Sequence, residues 1–81
     1  MDEQTRLRIK SEDTAFLSNP AEWPQNGMVC MKTPDHDGQQ FGLYFAVEPL
    51  KVAVTDLMSG RITEVIEYLS LDALLDAWMV D

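Results

Sequence analysis

Between residues 27 and 68 the chain alternates short β-rich runs with strong backbone breakers, and this limits the folds open to it more than any other feature. Segments 27–33 and 40–47 are rich in Met, Val, Phe, Leu and Tyr, and Pro34, Asp35, His36, Asp37, Gly38 and Gln39 lie between them. That arrangement predicts a hairpin. Glu48-Pro49 interrupts the second run, and 50–55 resumes it with Val52 and Val54 alternating against Lys51, Ala53 and Thr55. Ser59-Gly60 then supplies a tight turn before a further strand over 62–68. In the run 40–47, Phe41, Leu43, Phe45 and Val47 share one face, and Gly42, Tyr44, Ala46 and Glu48 share the other. The first set is the expected core.

The flanks carry signals of the same kind. Thr5-Arg6-Leu7-Arg8-Ile9-Lys10 alternates polar with apolar, which predicts a strand with Leu7 and Ile9 inward and a basic row, Arg6, Arg8 and Lys10, facing solvent. Ser11-Glu12-Asp13 offers a helix start, and Asn19-Pro20 and Trp23-Pro24 interrupt the stretch beyond it, so 11–26 reads as a connection containing a short helical turn. Phe16, Leu17 and Trp23 are the side chains expected to tether it. At the other end Ser70 is placed as an N-cap. Leu71, Leu74, Leu75, Trp78 and Met79 come after it at helical spacing, and Asp72 lies in the first turn. The expected fold is therefore α+β: an antiparallel β-meander of four to five strands with a C-terminal amphipathic helix packed on one face.

An 81-residue chain has room for a single small acidic domain, 1–81, whose core is thin because chains this short bury only about 60% of their unfolded surface. Hydrophobic residues at 46% and charged residues at 25% are ordinary for a folded chain, which argues against pervasive disorder. Residues 1–10 lack the basic start and apolar stretch of a signal peptide. The most apolar run, 41–47, is far shorter than the roughly 20 residues of a membrane helix. Cys30 is the only cysteine, which excludes an internal disulfide. A soluble, cytoplasmic protein with no membrane contact is expected.

Chemical motifs are sparse. Asp35, His36 and Asp37 invite a metal reading. A calcium loop starting at Asp35, however, would place Gln40 where glycine is needed and Ala46 where a bidentate glutamate is needed. A solvated turn accounts for the same residues. Cys30 and His36 would stand too far apart along an extended strand for a thiol–base pair, so Cys30 is expected to pack as a small hydrophobe. No carboxylate pair is singled out, and Gly27, Gly38, Gly42 and Gly60 form no phosphate-binding loop. No cofactor, metal site or catalytic residue is expected.

Charge carries the functional expectation. Fourteen acidic residues against six basic ones give a net charge of −8, which opposes direct binding to nucleic acid. Beyond Arg61 the chain holds Glu64, Glu67, Asp72, Asp76 and Asp81 without a lysine or arginine, and Asp72 and Asp76 repel each other four residues apart. Glu64, Glu67, Asp72 and Asp76 are accordingly the candidate partner-binding residues. The expected function is that of a small acidic protein-binding module. It would act as an inhibitor occluding the basic nucleic-acid-binding surface of a partner, in the manner of anti-nuclease or anti-CRISPR proteins of similar size and charge. The alternative is an obligate homo-oligomer, a homodimer among the options, or an accessory structural subunit of a larger assembly, with Trp23, Tyr44, Tyr68 and Trp78 completing a shared core.

Overall fold

The computed structural model describes residues 2–35 and 37–81. It is an α+β structure in which one antiparallel sheet of five strands is combined with two α-helices.

The N-terminal segment is a helix, α1 (Glu3–Leu17), which corrects the strand expected over residues 5–10 and the helix start expected at Ser11. Asp2 caps it: its carboxylate accepts a hydrogen bond from the Thr5 amide at 2.7 Å, and Glu3 adds negative charge to the first turn. No glycine or proline interrupts the chain before Pro20. The run then ends because the residue ahead of a proline is pushed out of helical backbone, and a single 3₁₀ turn comes next over Pro20–Glu22. The inward stripe of the helix is what hides it in the sequence. Arg6, Lys10, Asp13 and Leu17 recur at helical spacing and are all at least half-buried, but three of the four are charged. Hydropathy therefore shows no 3.6-residue period, and the chance alternation of Leu7 and Ile9 suggests a strand instead. Leu7, expected inward, is 57% exposed.

The meander forms as its turn signals indicate. Strand β1 (Met28–Lys32) pairs with β2 (Phe41–Phe45), β2 with β3 (Lys51–Thr55), and β3 with β4 (Ile62–Glu67), all antiparallel. A register shift beside Val54 and Thr55 leaves Thr63 unpaired and sets Ile62 opposite Thr55. The fifth strand comes from the other end of the chain. Helix α2 (Leu71–Ala77) stops at Trp78, and β5 (Met79–Val80) lies antiparallel against β1, giving the order β4-β3-β2-β1-β5. Ser70 caps α2 as expected, accepting from the Ala73 amide at 3.1 Å. The helix is shorter than expected, since Trp78 and Met79 continue its apolar spacing in extended backbone.

The core occupies the opposite face of β2 from the one expected. Val29, Met31, Tyr44, Val52 and Val54, all from one face of the sheet, form a buried cluster with Leu17, Trp23, Leu74, Leu75 and Trp78. Tyr44 is 5% exposed and belongs to this cluster; Phe41, Leu43 and Phe45 face the other way, are only half-buried, and take no part in it. Gly42 explains the inversion. It sits on the inner face directly beneath the Trp78 ring, so a position without a side chain makes the inner face look polar while a tryptophan fills it. Val47, past the end of β2, is 88% exposed.

Candidate functional site

The basic row and the acidic tail, separate in the sequence, meet in the fold. Helix α1 lies against α2. Arg6 reaches its C-terminal end, where Nη2 donates to the carbonyl oxygen of Leu75 and, at 3.2 Å, to that of Trp78. The last carbonyls of a helix have no partner within it and carry the negative end of its dipole, so a guanidinium is well matched to them. The other nitrogen, Nη1, is buried with no hydrogen-bond partner among the described residues.

One turn further along α1, Lys10 extends between the two acids of α2. Its Nζ lies 2.5 Å from Asp76 Oδ1 and 2.9 Å from Asp72 Oδ1, and only 17% of its side chain is exposed. Those two carboxylates hold the Lys10 ammonium above its ordinary pKa, Asp76 contributing most. Another turn along, Asp13 is 8% exposed and accepts from the Val80 amide at 3.0 Å, tying α1 to β5. Burial pushes its carboxyl upward, opposed by that amide and by the charge of Arg6.

The four candidate partner-binding residues therefore fall into two groups. Asp72 and Asp76 are brought together and share one lysine between them, while their side chains remain 80% and 67% exposed. One of the two negative charges is balanced from within the chain. Glu64 and Glu67 are both exposed on β4, at the edge of the sheet, but three residues apart on a strand they point to opposite faces. Glu64 lies opposite Val54 on the inner face and Glu67 opposite Lys51 on the outer one.

The remaining candidates are also placed. Trp23, Tyr44 and Trp78 are buried in the chain's own core, and Tyr68 accepts a hydrogen bond from Trp78 Nε1 at 2.8 Å, so these aromatics are not a free contact surface. Cys30 is exposed on the outer face of β1 instead of packing inside. Asp35 and Asp37 are exposed, and His36 lies outside the described residues. No group of three His, Cys, Asp or Glu with metal-binding geometry occurs among the described residues, and no described helix is long and apolar enough to cross a membrane.

Sequence reasoning missed Arg6 and Asp13. The signal available was the spacing of Arg6, Lys10, Asp13 and Leu17 on one helical face. Comparison with protein-family models, curated proteins and solved structures found no match.

Proposed function

We propose that this chain is a small acidic protein-binding module that engages a basic surface of its partner and, where that surface binds nucleic acid, occludes it. The observation that supports this reading is the unequal use of charge. Arg6, Lys10 and Lys32 are each drawn onto groups of the chain itself, and Arg8 stands 3.9 Å from Glu12. The four candidate acids remain outward: Glu64 and Glu67 are exposed, and Asp72 and Asp76 keep most of their surface in solvent despite sharing Lys10. In this proposal α2 rests on the sheet through Leu74 and Leu75 and turns its two aspartates outward. A surface of this kind attracts a cationic partner over a Debye length and hastens encounter. A cytoplasmic setting belongs to the same proposal, since Cys30 is a free, exposed thiol.

The test is to capture the partner on immobilised protein and measure its affinity at low and high salt, with nucleic acid as competitor. Affinity that falls steeply with salt, mutual exclusion with nucleic acid, and weakening by about tenfold or more in Glu64→Lys/Glu67→Lys are the expected results. Binding indifferent to salt would overturn the reading.

A further inference from the structure

We propose that the outer face of the sheet is the contact by which two copies of this chain stack face to face. Antiparallel sheets with one solvated face normally turn polar side chains to it. Here β2 presents Phe41, Leu43 and Phe45 on that face, flanked by Cys30, Ala53 and Val65 from β1, β3 and β4. None of the three β2 side chains belongs to the core or packs against it. Val65 is 54% exposed, and beside it a groove of about 330 Å³ runs between Phe45, Ala53 and Ile62. Val47, Ile62 and Val65, each more than half exposed, line that groove, and apolar exposure gathered in this way marks a protein contact.

Charge identifies the occupant as a second copy. The outer face holds Lys32 and Asp81, 3.3 Å apart, at one rim and the register partners Lys51 and Glu67 at the other, with Glu48 lining the groove. Two positive and three negative charges sum to −1, whereas the chain as a whole carries −8, so −7 lies elsewhere. Two such chains repel each other along most approaches, but this face is close to neutral and presents both signs at its rims. A two-fold contact requires that kind of self-complementarity, because each patch must match its own copy. A strongly cationic partner would be drawn to the acidic surfaces instead. Pairing through the sheet edge is less suited to two copies, since β4 carries Glu64 and Glu67 and no lysine, the kind of charge that guards exposed edges. Stacking would give an α/β/β/α arrangement with the acidic helices outermost, and of the acids proposed to meet a cationic partner it involves only Glu67, at its rim.

Sedimentation of the full chain across a wide dilution series tests this directly. A reversible monomer–dimer equilibrium is expected, and Leu43→Lys, which buries a charge in the contact, should weaken it by about tenfold or more. Ala15→Lys, the same charge on the exposed side of α1, should leave it unchanged. Cys30 provides a readout without mutation at the face: its labelling by a thiol reagent should slow as concentration rises and the faces close. A single-chain mass at every concentration would sink the proposal. So would a dimer in which Cys30 labels equally fast at all concentrations, and that measurement on the unaltered chain decides the matter even if Leu43→Lys fails to fold.

Discussion

The ring of Trp78 lies against the backbone of Gly42: a β-carbon on that glycine would stand 3.4 Å from Trp78 Cη2, 2.7 Å from Val52 Cγ1 and 3.0 Å from the carbonyl oxygen of Ala53. The closest of these is nearer than packed atoms tolerate. Gly42→Ala is therefore expected to force Val52 from its position, with the Ala53 carbonyl leaving little room to give, and to destabilise the chain by about 1–3 kcal/mol, the usual cost of overfilling a packed core. Urea unfolding checks this, with an unchanged slope and a lower midpoint as the expected result. Stability equal to the parent would mean that Val52 does not crowd this glycine.

Trp78 is fixed at its other end by Tyr68. With the indole 1% exposed, its N–H donates to the tyrosine oxygen at 2.8 Å. Tyr68→Phe removes the acceptor and leaves a buried donor unpaired, which costs about 1–3 kcal/mol. Trp78→Phe and the double variant complete a cycle. Coupling within error of zero would show that the bond contributes nothing beyond packing.

The parts of the fold legible in the sequence are those announced by turn chemistry and caps. Pro49 and Gly60 separate the strands of the meander, and Ser70 starts α2 where expected. The features that hydropathy does not reveal have a physical cause in each case. The buried stripe of α1 runs through Arg6, Lys10 and Asp13, whose partners are more than 60 residues away in the chain. Spacing alone does not disclose such partners. Apolar size is a misleading mark of burial in β2, where Gly42 is buried for lack of size and Phe41, Leu43 and Phe45 lie on the uncovered side. The candidate site shares this limit: four acids are visible as residues, but the lysine shared by Asp72 and Asp76 is a tertiary contact.

Lys10 makes a pH-dependent contribution of definite sign. Its folded pKa lies above the ordinary 10.5 because Asp76 and Asp72 favour the ammonium. The stabilisation is therefore fully present below 10.5 and is lost as pH rises through the higher folded value. Lys10→Met should unfold more easily than the parent at neutral pH, because two carboxylates four residues apart on α2 lose their shared counter-ion. The gap should shrink at alkaline pH and in high salt. Melting temperatures of both proteins measured across that range provide the check, and a gap independent of pH would remove the ion pair as its cause.

Asp13 should behave in the opposite sense to an ordinary surface carboxylate. Burial, the largest influence, raises its folded pKa above the usual 3.8, despite the Val80 amide and the nearby Arg6. A folded state that binds the proton more tightly than the unfolded one gains stability as pH falls through the raised value towards 3.8 and loses it again as the group ionises. Asn at this position keeps an oxygen for the Val80 amide, and Arg6 Nη2 retains the carbonyls of Leu75 and Trp78 as acceptors. Asp13→Asn is therefore expected to be at least as stable as the parent at about pH 7, with the difference closing as both are taken towards pH 3.8. Thermal unfolding followed at intervals across that window decides it. A variant clearly less stable at neutral pH would mean that the attraction between Asp13 and Arg6 outweighs the cost of burying the carboxylate.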